Sequence, residues 1–229
     1  MFACATSVFK NRAPVVPSAD LRLLTYFDGN SSADVSQYLR GPGTLVGAGA
    51  SVTGGAFTVN SGTNTENDTL TWNSTFGFNQ YDNYTLEFFM TLTTNPNVSY
   101  SQIMEFNMGG GNNYYRLGSY GGSSEYLFHA VGDTSNQLGV FGGGVRKHVA
   151  LVFSTAGVRI YIAGSLIFTY GGGNYRLSQV PSGGYFRIGN PSIYGSATPN
   201  NFSYDEVAIW RGERYSGSSI VVPAHIPIV

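Results

Sequence analysis

Short runs that alternate apolar and polar residues with a period of two, closed by glycines, constrain this 229-residue chain more than any other feature. In Tyr84-Thr-Leu-Glu-Phe-Phe-Met-Thr-Leu92, Leu86, Phe88, Met90 and Leu92 point one way. Thr85, Glu87 and Thr91 point the other way, and Phe89 is out of step. Lys147-His-Val-Ala-Leu-Val-Phe153 alternates Val149, Leu151 and Phe153 with His148, Ala150 and Val152, which predicts a strand covered on both faces. Val158-Arg-Ile-Tyr-Ile162, the pair Ala163-Gly164 and Ser165-Leu-Ile-Phe-Thr-Tyr170 predict consecutive hairpins. Further strands are expected near 22–27, 56–59, 69–72, 100–107, 113–118, 125–131, 185–189 and 203–210. Glycine triplets at 109–111, 142–144 and 171–173 suit only loops or bulges. About a dozen short antiparallel strands predict an all-β, two-sheet jelly-roll sandwich.

Composition narrows the partners. Charged residues are 11% of the chain and the net charge is -1, with no cluster of Lys or Arg. No electrostatic footprint exists for a nucleic-acid backbone or an anionic membrane, so neither is expected as a partner. The 16 Tyr and 15 Phe supply a large core instead. A single cysteine, Cys4, excludes an intrachain disulfide. No apolar run approaches the roughly 18 residues of a membrane span. Met1–Lys10 has neither a basic start nor an apolar stretch of useful length, so no signal peptide is expected.

Residues 1–20 differ from the rest. They contain Pro14 and Pro17 and little alternation, which suits either a loose terminus or an extended N-terminal arm ahead of one domain over 21–229. Phe2, Val8 and Phe9 are its candidate anchors on a neighbouring subunit, because exposed apolar side chains call for a cover.

Several segments together carry a family resemblance. Leu23-Leu-Thr-Tyr-Phe-Asp-Gly29 resembles the opening strand of the laminin G-like jelly-roll domains in the concanavalin A-like lectin/glucanase superfamily. Tyr84-Thr-Leu-Glu-Phe-Phe-Met90 resembles their central aromatic strand, and His148-Val-Ala-Leu-Val152 with Ile160-Tyr-Ile-Ala-Gly164 their hairpin. Phe186-Arg-Ile-Gly189 and Tyr204-Asp-Glu-Val-Ala-Ile-Trp210 are similar to the last two strands. Arg211-Gly-Glu-Arg-Tyr215, running to Val222-Pro223, is similar to the closing segment of versions found in tailed-bacteriophage structural proteins. The resemblance runs over roughly 21–224 and implies a concanavalin A-like sandwich in a virion. Two positions depart from it: Ala163 stands where the family usually has Asp, and Arg146-Lys147 where an aromatic commonly precedes the His.

Some relatives hold calcium near the sheet edge, and the resemblance implies Asp28 and Asp205 as contributing ligands. Against that, calcium takes about six to eight oxygens, and the 13 acidic residues form no dense cluster. In the competing reading Asp28 caps a turn and Asp205 bonds backbone amides. No other cofactor is expected.

The superfamily includes glucanases, which calls for a test of the acidic residues. A Glu-x-Asp-x-x-Glu strand would place carboxylates on one face, and none occurs. Glu87 and Glu105 stand alone in their strands, while the adjacent Asp205 and Glu206 are expected on opposite faces. His129, His148 and His225 lack metal-ligand spacing, and His148 reads as a satisfied core histidine. No catalytic residue is expected, and the chain reads as a non-enzyme. Sugar sites pair aromatic faces with amide and backbone hydrogen bonds. Asn112, Asn113, Tyr114, Tyr115, Tyr120, Asn174, Tyr175 and Tyr194 are the candidates, unless these tyrosines pack at the rims of the sandwich.

The first expectation is therefore a virion structural protein, a capsid decoration or tail/fibre-type subunit. It would assemble in the host cytoplasm with other virion proteins or copies of itself and sit on the virion surface. The alternative is a carbohydrate-binding adhesion module for cell-surface glycans. A glycosidase comes third.

Overall fold

A computed structural model describes residues 20–27, 31–33, 36, 41–60, 68–74, 76, 78, 82–92, 101–107, 114–120, 125–129, 136–140, 144–170, 184–190 and 202–226. Among them the first strands are β1 (Leu21–Thr25), β2 (Thr44–Val46), β3 (Ala50–Thr53), β4 (Ala56–Val59) and β5 (Asp68–Asn73). The central ones are β6 (Tyr84–Leu92), β7 (Ser101–Asn107), β8 (Tyr114–Tyr120), β9 (Glu125–His129) and β10 (Asn136–Val140). The last are β11 (Lys147–Ser154), β12 (Gly157–Ile162), β13 (Ser165–Tyr170), β14 (Tyr185–Asn190) and β15 (Phe202–Arg211). Phe2, Val8 and Phe9 lie outside the described residues.

These strands build two antiparallel sheets. The first runs β13-β12-β11-β6-β15-β4-β3, with β1 on the edge of β15 beside β4, and the second runs β10-β9-β8-β7-β14-β5-β2. The expected jelly-roll sandwich is the observed architecture. No helix of the described residues is long and apolar enough to cross a membrane.

The alternation read from the sequence becomes the inner face of each sheet. Leu86, Phe88, Met90 and Leu92 of β6 meet Val149, Leu151 and Phe153 of β11 and Val207 and Ile209 of β15 in one core. Met104, Phe106, Leu117, Phe186 and Ile188 close that core from the second sheet. Aromatic rings fill it: Tyr84 stacks on its cross-strand partner Phe153 at 4.4 Å, and Trp72 on Phe186 at 5.9 Å. The Tyr204 hydroxyl crosses the core and donates to the Ile103 carbonyl, tying the sheets together.

Phe89 is out of step because the outer face of the first sheet is also covered. It packs there with Leu21, Leu24, Trp210 and Ile226, under the guanidinium of Arg146 at 3.6 Å from its ring centre. The cover is the closing segment after β15. Tyr161 donates its hydroxyl to the Gly217 carbonyl at 2.8 Å, and Arg159 reaches the Tyr215 carbonyl at 3.0 Å. Ile220 N–H donates to the Gly164 carbonyl at 2.8 Å, and Leu166 N–H to the Ser218 carbonyl at 3.1 Å. The β12–β13 turn makes this approach possible. Ala163 and Gly164 both have positive φ, 49° and 86°, as a two-residue hairpin turn of the primed type requires. A Cβ on Gly164 would lie 2.8 Å from the Ile220 carbonyl oxygen.

Candidate functional site

The second sheet carries a polar pattern on its outer face. Met104 and Phe106 point into the core, so the intervening Glu105 points out. Strand register then aligns Thr44, Thr71, Arg187, Glu105 and Arg116 across β2, β5, β14, β7 and β8. A second row, Asn73, Tyr185 and Asn107, lies two residues along, with Tyr114 next in register.

Glu105 organises both rows. Its side chain is 0% exposed and lies 2.7 Å from Arg116 Nε and 3.1 Å from Arg187 Nη2. Tyr185 donates its hydroxyl to the same carboxylate and accepts from Asn107 Nδ2 at 3.4 Å. Burial, then the bond to Glu105 and its charge, push the Tyr185 phenol above its ordinary pKa. Arg187 lies over the Tyr185 ring, 4.9 Å from its centre.

Beside these residues the sheet edge forms a depression of about 380 Å³ between Gly41, Pro42 and Thr44 on one side and Thr71–Ser74 on the other. A Cβ on Gly43 would be 2.9 Å from Trp72 Cε2, so this segment sits directly on the indole. Thr71 and Asn73 in its wall are the register partners of Arg187 and Tyr185. The depression and the polar rows are therefore contiguous.

Two other buried carboxylates, those of Glu87 and Glu206, are structural anchors. Glu87 lies on the outer face of the first sheet, accepting from His148 Nε2 at 3.1 Å, the Tyr215 hydroxyl at 2.7 Å and Trp210 Nε1. Burial raises its pKa, but the His148 hydrogen bond, the Arg214 charge and the Tyr215 bond outweigh that and hold it below the ordinary value. Arg214 completes the cluster by lying 3.7 Å from the Trp210 ring centre. His148 is thus a partnered core histidine at Nε2, while its Nδ1 has no hydrogen-bond partner among the described residues. Glu206 accepts from Ile226 N–H at 2.6 Å and contacts His225 Nδ1.

Asp205 and Glu206 do not take the opposite faces expected of neighbours in a strand. The register slips between Tyr204 and Glu206, and this bulge turns both carboxylates toward Arg146, whose Nη2 is 2.7 Å from Asp205 and 3.6 Å from Glu206. Asp205 therefore holds a guanidinium rather than backbone amides. Among the described residues no three His, Cys, Asp or Glu side chains converge to hold a metal ion, and Asp28 lies outside those residues.

Of the predicted glycan residues, Tyr114, Tyr115 and Tyr120 are among the described ones. Tyr115 packs inside, 4.6 Å from the Phe153 ring centre, with burial pushing its phenol up to about 12, and it presents no ring to solvent. Tyr114 and Tyr120 lie on β8, opposite Asn107 and Glu125. Asn112, Asn113, Asn174, Tyr175 and Tyr194 fall outside the described residues. The residues brought together instead are Tyr185, Arg187, Glu105, Arg116, Asn107 and Asn73. For two of them the signal was present: in Tyr185-Phe-Arg-Ile188, Tyr185 and Arg187 alternate with the apolar Phe186 and Ile188 and so form the outward pair.

Residues 60–216 match the laminin G family model of the concanavalin A-like lectin/glucanases superfamily, and the chain belongs to that family. The Trypanosoma rangeli sialidase in complex with sialic acid is similar in fold, with TM-score 0.67 and 17% identity over 87% of this chain and 32% of the sialidase. The chain thus spans about a third of that protein's length. Domain 4 of AbnA, an extracellular arabinanase from Geobacillus stearothermophilus in complex with arabinotriose, has TM-score 0.63 and 16% identity. That match covers 85% of this chain and 93% of the domain. Botulinum neurotoxin type C, whose cell entry depends on interaction with two ganglioside molecules, matches with TM-score 0.61 and 17% identity over 85% of this chain and 48% of the toxin chain. No curated protein sequence matches.

Proposed function

We propose that this laminin G-like chain is a non-catalytic carbohydrate-binding module that uses the outer face of its second sheet, at the β2–β5–β14 end. The observation that carries this reading is the contiguity of Tyr185 and Arg187 with the Thr71–Asn73 wall of the depression. A half-exposed aromatic, guanidinium and amide donors, hydroxyls and a shallow hollow are what a sugar ring requires of a protein surface. The arabinotriose complex of the arabinanase domain and the ganglioside dependence of the neurotoxin support it by analogy of fold. The non-catalytic part rests on the carboxylates. Glu87 and Glu105 are both occupied and lie on the outer faces of two sheets, with a core about 10 Å thick between them. Glycoside hydrolysis in its canonical two-carboxylate form needs two carboxyl groups flanking one bond. The test is a glycan array with the wild-type protein and Tyr185→Ala, alongside a reducing-sugar assay on every ligand found. Binding that falls at least about tenfold in the variant, without hydrolysis, supports the reading. Undiminished binding in a folded variant, or turnover, overturns it.

The finer reading is that the module is displayed on a virion. It rests on the resemblance of Arg211–Pro223 to the closing segment of phage versions, and on the arm read in residues 1–20. Mass photometry of the full chain beside one lacking residues 1–20 tests the arm. Assembly of the full chain alone supports docking on other copies, and two monomers contradict it.

A further inference from the structure

The outer face of the first sheet holds a receptor for a short peptide, and residues 224–226 of the same chain fill it. Ile226 is 1% exposed and packs among Leu21, Leu24, Phe89 and Trp210. Its backbone N–H donates to Glu206 at 2.6 Å, and His225 Nδ1 contacts the other oxygen of that carboxylate. Arg146 lies over the Phe89 ring and donates from Nη1 to the Ala224 carbonyl at 3.3 Å. An apolar socket, a buried acceptor for a backbone N–H and a cation for a carbonyl recognise an extended peptide through both side chain and main chain.

The link into this receptor is built unlike the rest of the closing segment. Just before it, Tyr161, Leu166 and Gly164 fasten Gly217, Ser218 and Ile220 to the first sheet. Val221, Val222 and Pro223 then make no hydrogen bond to the described residues. Pro223 lacks an N–H and confines Val222 to extended backbone, so the link is a stiff span and not a turn. It is also apolar and uncovered. Val221 is 92% exposed and Val222 38%, while Val145, the sequence neighbour of Arg146, is 60% exposed. These are three of the five large apolar side chains left exposed among the described residues, and such a grouping calls for a cover.

A stiff span between two well-held parts can lead to the receptor of its own copy or to that of another. Every contact inside the receptor is the same in both cases, so the link alone decides between them. Exchange carries the two links past each other at a two-fold axis. That covers Val221 and Val222 and offsets the freedom lost on association.

We propose that residues 221–226 are exchanged between two copies of this chain, with Ile226 of each seated beside Phe89 and Trp210 of the other. The occupant is a second copy because the receptor is already matched to this segment residue by residue. The interface lies on the first sheet and stands or falls independently of the carbohydrate reading, which uses the second.

The test uses the full chain, refolded at high concentration so that slow unfolding does not block exchange. Sedimentation is expected to show a dimer. In a dimer assembled from copies with labelled isoleucine methyls and unlabelled copies, isotope-filtered nuclear magnetic resonance is expected to show Ile226 against the Phe89 ring of the unlabelled copy. Inserting Gly-Ser-Gly-Ser between Val222 and Pro223 lets each segment return to its own copy. Dimerisation should then weaken at least about tenfold, the order by which linker fit changes an effective concentration. The Ile226 contact should survive within one copy. A wild-type chain that stays monomeric after this treatment overturns the exchange. So does a dimer in which Ile226 meets only the Phe89 of its own copy, since Val145 and Val221 would then be an ordinary contact patch. The labelled wild-type dimer decides between these outcomes without any variant.

Discussion

Arg187 and Glu105 face each other across β14 and β7, Nη2 to Oε1 at 3.1 Å, and the same buried carboxylate takes Arg116 at 2.7 Å. One carboxylate thus holds three strands of an outward face in fixed alignment. Glu105→Gln would remove the negative charge that Arg116 and Arg187 share. The expected loss is about 3–5 kcal/mol, read from the urea midpoint, because an unbalanced buried charge costs more than a missing contact. A change below about 1 kcal/mol would mean that solvent already screens the cluster.

Glu87 predicts the acid limit of stability. Its pKa in the folded protein is depressed, so its contribution is complete above the ordinary carboxylate range and is lost as pH falls through the folded value. Wild-type stability should decline on acidification from about pH 4 downward, and Glu87→Gln should be less stable at neutral pH by about 2–4 kcal/mol. The variant should also show a shallower acid decline. Parallel urea midpoints of the two proteins across pH would check both statements.

The alkaline side has the opposite sign. Burial raises the phenols of Tyr84, Tyr115 and Tyr215 above their ordinary value, so the folded state retains protons that the unfolded chain releases. Stability is complete below about pH 10 and falls as pH rises beyond it. Ultraviolet titration should show these three ionising only together with unfolding.

The β12–β13 turn makes two substitutions diverge. Gly164→Ala adds a side chain at positive φ and against the Ile220 carbonyl oxygen, 2.8 Å away, with an expected cost of about 1–3 kcal/mol. Ala163→Gly relieves a left-handed alanine at φ 49° and should gain about 0.5–1 kcal/mol. Thermal melts of the two variants separate the effects. Gly164→Ala should also loosen the closing segment, read as faster amide exchange at Ile220 and Leu166.

The physical basis of each reading explains where the sequence was legible. Strands such as β6, β11 and β12 announce themselves because one face is apolar and local alternation records it. The three residues of β2 are all exposed, and the small residues of β3 leave no apolar stripe, so neither strand marks itself. The candidate face was illegible for another reason. Arg187, Glu105 and Arg116 are far apart in sequence and meet only through register, which no single strand encodes. Tyr115 misled because adjacent tyrosines in a strand take opposite faces, and burial against Phe153 claimed one of them. Asp205 and Glu206 escaped the same alternation because a bulge suspends it.

The two tryptophans, one associated with each sheet, make the central claim directly measurable. Trp72 lines the depression of the second sheet, while Trp210 donates its indole N–H to Glu87 beneath the closing segment of the first. Their indole N–H signals can be followed by nuclear magnetic resonance during titration with a glycan that binds. Ligation at the proposed face shifts the Trp72 signal and leaves that of Trp210 in place. A shift at Trp210 alone, or saturated binding with neither signal moving, would contradict the assignment of the second sheet as the binding face.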